Sequence, residues 1–218
     1  MAETSSDRQT NTDKVSGAPD ASPASQLRRA PRLRSLALVD AAGVLAGMSI
    51  WAAADMWHAQ SGLAIAALVA VGDALFVGSL LAGVVHEWGH YAGAHLSGAQ
   101  TELVRRRGFA LVRFSYVFAE NTPKQFRSMS FSGNVAHWLL VAGLFFALPL
   151  STPGQIAVVA AAFAFAVSAS VFELPVISAV DGGQGPEAAL RARATKETFK
   201  RGRWISIASG LLLFIGLS

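Results

Sequence analysis

Five long apolar runs set the terms for what this chain can fold into. They cover roughly Leu36–Trp57, Gly62–Leu96, Met129–Leu150, Gln155–Val180 and Trp204–Ser218. A helix needs about 20 apolar residues to cross the hydrocarbon core of a bilayer. The last run has only 15 residues before the chain ends, and the others reach that length. The expected fold class is an all-α polytopic membrane protein with about five transmembrane helices and no internal repeat. Composition agrees: 52% of the 218 residues are hydrophobic and 15% are charged, against about a quarter charged in soluble domains.

The 18 Lys and Arg residues fall into three segments of six. One precedes the first run (Arg8 to Arg34), one lies between the second and third (Arg105 to Arg127), and one lies between the fourth and fifth (Arg191 to Arg203). The connections His58–Ser61 and Ser151–Gly154 carry none. If successive runs alternate in direction, every basic residue lies on one side. Cytoplasmic loops collect Lys and Arg, so the N-terminus is expected in the cytoplasm, with a bacterial inner membrane as the expected location. The bilayer accounts for the net charge of +4 without a nucleic-acid partner. Residues 1–35 read as a disordered, basic cytoplasmic tail, and 36–218 as the membrane domain. The first run is expected to remain uncleaved, since a secretory signal places its apolar stretch nearer the start. Cysteine is absent, which excludes disulfides and thiolate metal sites; metal ligands must be His, Asp or Glu.

The second run is 35 residues long, about 52 Å as one helix, against a core about 30 Å thick. The run must tilt, protrude or break, and Gly72-Asp73 is the natural place for a break. Within Gly108–Ala119, Val112, Phe114, Tyr116 and Phe118 alternate with Leu111, Arg113, Ser115 and Val117. Period two with aromatic and β-branched residues predicts a strand or hairpin. Asp40 and Asp55, near span ends, read as solvated.

The second run also carries "HEWGHYAGAHLSG", His86 to Gly98. His86 and His90 are four apart, so a helix presents both on one face. This is the H-E-x-x-H arrangement, in which two imidazoles grip one zinc and the glutamate is general base toward its water. Ionisable groups inside a span are functional by default, so the expectation is one Zn ion per chain, with Glu87 catalytic. The third ligand must come from elsewhere: His95, His137, Glu173 and Asp181 are candidates. His95 points off the shared face. Asp181, at the end of "ELPVISAVDGGQ", is preferred for its depth and the flexible glycines behind it, although "DGG" is also an ordinary helix-end turn.

These residues resemble the site-2 protease family of intramembrane zinc metalloproteases. The family's first motif reads HELGH with Ala four and Gly eight residues on, and Ala94 and Gly98 match it. Its later motif, Asn-x-x-Pro-x-Pro-x-Leu-Asp-Gly, is similar to "ELPVISAVDGG" through Pro175, Asp181 and Gly182, with Glu173 standing where the Asn would be. The resemblance implies Asp181 as third ligand. A middle motif, Gly-Pro-x-x-Asn, resembles "GNVAH", Gly133 to His137, with His137 in place of an Asn that helps hold substrate. The resemblance covers roughly residues 80 to 185 and implies a zinc endopeptidase that cuts a single-span membrane protein near the cytoplasmic face.

A spanning helix hides its peptide bonds in its own hydrogen bonds and must unwind to be cut. An exposed strand edge would hold the unwound chain by β-augmentation, which makes Phe114 and Tyr116 expected substrate contacts. Three other readings stay open: an inactive relative that binds membrane partners, a metal transporter, and a metal-dependent lipid hydrolase.

Overall fold

A computed structural model describes residues 33–103 and 114–218. The expected tail up to residue 32, the basic triplet 105–107 and the first part of the predicted strand region lie outside the described residues; Leu33 to Ser35, assigned to the tail from sequence, are helical.

The described chain is a helical bundle with one small sheet. Its elements are α1 (Leu33–Ser61), α2 (Ala64–Leu96), β1 (Thr101–Leu103), β2 (Phe114–Tyr116), α3 (Pro123–Ala147), α4 (Pro153–Asp181), α5 (Pro186–Arg193) and α6 (Lys196–Leu217). Among the described residues, α1 to α4 are long and apolar enough to cross a membrane. Their outward faces carry large apolar side chains, among them Leu38 on α1, Phe76 on α2 and Phe146 on α3. Exposed apolar surface of this extent marks a face that meets something other than water.

Local chemistry explains where the helices start and stop. Thr122 caps α3 with a reciprocal capping box to Gln125, and Pro123 occupies the first turn. Thr152 caps α4 by accepting from Gln155 N–H, and Pro153 occupies the first turn. At the other ends, Gly98 and Gly183 adopt φ of 70° and 93°. Ala99 N–H donates to Ala94 O and Gly98 N–H to His95 O, while Gln184 N–H donates to Ala179 O and Gly183 N–H to Val180 O. Both ends are Schellman caps, which require a left-handed residue that glycine adopts without strain.

Three expectations are corrected. First, of the three ways to fit so long a run, the break at Gly72-Asp73 is absent: α2 runs unbroken through it, which leaves tilting or protrusion. Second, the helix of the fifth apolar run is not among those long and apolar enough to cross a membrane among the described residues. Helix α6 begins at Lys196, and its first turns carry Lys196, Glu197, Lys200, Arg201 and Arg203. It packs along α4. Third, Asp40 and Asp55 are buried, not solvated. Trp88 Nε1 donates to Asp40 at 3.0 Å, and Thr152 Oγ1 donates to Asp55 at 2.6 Å. A carboxylate inside a bundle needs such donors, and here they tie α1 to α2 and to α4.

The core that positions the site is α2 against α3 and α4. Gly89 and Gly93, four apart on α2, let α3 approach closely: a Cβ at Gly89 would lie 2.8 Å from Ser132 O, and one at Gly93 2.7 Å from Ser128 O. Small residues at this spacing allow backbones to meet in helix pairs within membranes. The sheet joins the same end of the bundle. Strand β2 pairs antiparallel with β1, Phe114 opposite Leu103 and Tyr116 opposite Thr101. Phe114 packs with Ala94, Phe126, Met129, Val176 and Val180, which fixes the sheet to α2, α3 and α4.

Candidate metal centre and cleft

Helical periodicity places His86 and His90 one turn apart on α2, facing α3 and α4. Their Nε2 atoms are 3.0 Å from each other. Glu173 of α4 completes the group, its Oε1 3.0 Å from His86 Nε2 and 3.1 Å from His90 Nε2. The three side chains are only 7%, 12% and 15% exposed.

The chemistry of these donors fits a metal ion. His90 Nδ1 lies 2.9 Å from the Met129 carbonyl oxygen, to which it must donate. That leaves the His90 Nε2 lone pair facing a carboxylate oxygen. His86 Nδ1 and His137 Nδ1 lie 2.9 Å apart; when His86 is the donor, its Nε2 lone pair faces the same point. Three electron-rich atoms at this separation call for a positive charge between them. Their mutual distances are near the roughly 3.3 Å edge of a tetrahedron with zinc-ligand bonds of about 2.0–2.1 Å. Metal-ligating histidines characteristically donate their other ring nitrogen to a fixed acceptor, and Met129 O and His137 stand in those places.

Glu173 is itself held. Asn134 Nδ2 donates to its second oxygen at 2.5 Å. Ser170 Oγ donates to Asn134 Oδ1 at 3.1 Å, and Trp138 Nε1 to Ser170 Oγ at 3.1 Å. The chain of donors fixes the carboxylate's rotamer from behind.

A cleft of about 400 Å³ opens on this group. Glu87, His90 and Glu173 line it on one side, and Phe114, Ser115 and Tyr116 of β2 on another. Tyr116 Oη is buried with no hydrogen-bond partner among the described residues, and burial pushes its phenol up to about 12. It is therefore a protonated donor at neutral pH.

The structure brings together His86, His90, Glu87, Phe114 and Tyr116 as the sequence analysis groups them. It separates two others. Asp181, the preferred third ligand, ends α4 and sits 3.6 Å from Arg127, with its side chain 46% exposed. Its "DGG" is a helix cap, and Glu173 takes the place beside the histidines. His137, expected to meet substrate, is fully buried and meets His86 instead. His95 stacks on Tyr91 and joins no ligand group. Asn134, Ser170 and Trp138 escaped the sequence reading altogether. Depth was the usable signal for Glu173: it lies eight residues before the end of α4, and His90 lies six before the end of α2. Those are about 12 and 9 Å along the two axes, a closer match than Asp181 at the helix end.

Gly133 decides whether His90 can hold its position. A Cβ there would overlap the His90 ring, at 2.5 Å from Nδ1 and 2.7 Å from Nε2. Gly133→Ala is expected to push the imidazole off the group and lower metal affinity at least as far as the 10- to 100-fold typical of losing an orienting partner. Gly143→Ala, on the same helix with nothing within 4 Å, should leave it unchanged. Metal content per chain after dialysis against a graded chelator reads the difference.

No family model, curated protein or solved structure matches this chain. Fold and site together define a multi-helix protein of membrane-spanning character with a largely buried His-His-Glu group able to hold a metal ion.

Proposed function

We propose that the chain is an integral-membrane zinc endopeptidase that cuts membrane-embedded or membrane-flanking segments of single-span proteins near the cytoplasmic face. The observation that carries this reading is the convergence of both H-E-x-x-H histidines with Glu173, at a cleft that also contains Glu87. His86, His90 and Glu173 would hold the zinc. Two imidazoles and a carboxylate, with no thiolate, make a characteristic catalytic zinc set. Zinc bound there would acidify a water molecule and polarise the scissile carbonyl. Glu87 takes the proton from the attacking water and passes it to the leaving amine as the C–N bond breaks. Co-expression with candidate single-span proteins, wild type against Glu87→Gln, tests the reading: cleavage products must appear with the first and vanish with the second.

The sheet supports a way of holding the substrate. Val117 N–H donates to Gln100 O, so residues 117 and 115 point their backbone groups toward β1. Alternation in an antiparallel ladder turns the N–H and C=O of Phe114 and Tyr116 to the opposite edge. No other strand pairs with that edge among the described residues. An unwound substrate needs partners there, because each unpaired polar group in hydrocarbon costs several kcal/mol. Phe114→Pro and Tyr116→Pro each remove one donor from this edge without taking a bond from the β1 ladder. Both variants should keep their zinc and lose most cleavage. Substrate spans containing Gly, Pro or Asn should be cut faster than all-Leu spans. Wild-type rates in zinc-loaded proline variants would show that β2 does not hold the substrate.

The orientation rests on the segregation of Lys and Arg. In this cysteine-free chain, a cysteine at Ser61 or Ser151 should react with an impermeant thiol reagent from outside intact cells. One at Ser97 or Gln184 should not. The reverse pattern would place the site at the outer face.

A further inference from the structure

A groove of about 720 Å³ lies between α4 and α6, and Phe172 lines both it and the cleft at the metal centre. Trp138, Val167, Leu174 and Ile205 form apolar parts of its wall, and Arg193 and Arg201 line it as well. A shallower groove of about 380 Å³ between α3 and α4 shares Trp138, Ser170 and Leu174 with it, so the two apolar channels meet.

The two arginines differ from their neighbours. Arg191 is paired with Glu187 at 2.6 Å, and Arg127 with Asp181. Arg193 reaches only neutral oxygens, Gln184 Oε1 at 3.4 Å and Ala189 O at 3.5 Å. Arg201 has no carboxylate within ion-pair distance among the described residues. Glu197 also lines the groove, so the lining carries two guanidinium groups against one carboxylate, and Lys196, Lys200 and Arg203 add to the positive charge of the same stretch.

We infer that this groove binds one anionic glycerophospholipid, its phosphate on Arg193 and Arg201 and its acyl chains along the two joined apolar channels. Basic pockets between membrane helices are sites for anionic headgroups. Size separates a lipid from a substrate helix. A helix about 10 Å across and 30 Å long occupies roughly 2,400 Å³, more than three times the groove, whereas acyl chains follow narrow channels. The inference does not rest on the protease reading: none of the three residues of the metal group lines the groove, although Phe172 lines both the groove and the cleft.

Native mass spectrometry of the purified full chain, released from detergent with added phosphatidylglycerol or phosphatidylcholine, tests it. One tightly held phosphatidylglycerol is expected. Each basic contact near an anionic headgroup is worth about fivefold, so Arg193→Gln with Arg201→Gln should weaken retention about thirty-fold. Arg201→Gln alone, which breaks no hydrogen bond, should weaken it about fivefold. Ile205→Trp fills the apolar wall with both arginines intact and should displace the lipid too. Arg203→Gln, outside the groove, should keep wild-type retention. Metal content and elution volume confirm that each variant is folded. Equal retention of phosphatidylcholine, unchanged retention in the arginine variants, or an equal loss in Arg203→Gln would overturn the inference. So would displacement by millimolar glycerol phosphate, which would mark a phosphate site with no use for acyl chains.

Discussion

Glu173→Ala should leave the purified protein without its metal, and Asp181→Ala should leave the metal in place. Glu173 Oε1 is within 3.1 Å of both histidine Nε2 atoms, and Asn134 holds the other oxygen. Removing it deletes one of three ligands, a larger loss than the 10- to 100-fold effect of deleting an orienting partner. Asp181 lies eight residues further along α4, about 12 Å along the axis, and pairs with Arg127 at the surface. An exposed pair of this kind contributes about 0–1 kcal/mol to stability, so its loss should scarcely register. Wild type should carry about one zinc per chain, as a single three-ligand site does. Elemental analysis of the three proteins after identical dialysis is the measurement. Zinc retained by Glu173→Ala and lost from Asp181→Ala would restore the aspartate as ligand and require α4 to move by two turns.

Glu87→Gln should bind zinc as wild type does and cut its substrate about 10²- to 10⁴-fold more slowly, the usual contribution of a general acid–base group. That is about 3–5 kcal/mol of transition-state stabilisation at 1.36 kcal/mol per tenfold. The amide keeps the size and shape of the carboxylate and removes its ability to accept a proton. Glu87 lines the cleft beside His90 and Glu173 but does not belong to the ligand group, so activity and metal content should separate. Cleavage at the wild-type rate would end the protease reading. Metal flux unaffected by the substitution would favour a transporter, and release of labelled fatty acid from phospholipid would favour a lipid hydrolase.

The bundle was legible because its determinants are local. Apolar runs of span length are visible residue by residue. The helix starts at Thr122-Pro123 and Thr152-Pro153 and the glycine stops at 98 and 183 emerged only in the structure, although they too act through near neighbours. The four-residue spacing of His86 and His90 put both on one face for the same reason. Alternation revealed β2; its partner β1, three residues long, is too short to show a period. That the charged residues 196–203 form the first turns of α6 was seen only in the structure.

The third ligand was a different kind of question. Both Glu173 and Asp181 lie on α4, and motif likeness favoured the second. Which carboxylate meets the histidines depends on the depth and rotation of α4 against α2; counting from the helix ends gives depth only once those ends are known, and no local pattern records the rotation. Depth and rotation are set where side chains of different helices compete for space: Gly89 and Gly93 admit α3, Gly133 leaves room for the His90 ring, and Asn134 reaches Glu173 from α3. Sequence alone determined that His86 and His90 would share a face of an apolar helix, with Glu87 one step round from them. Only close packing among α2, α3 and α4 decided which carboxylate joined them, because contact between helices is fixed by the shapes of all three at once.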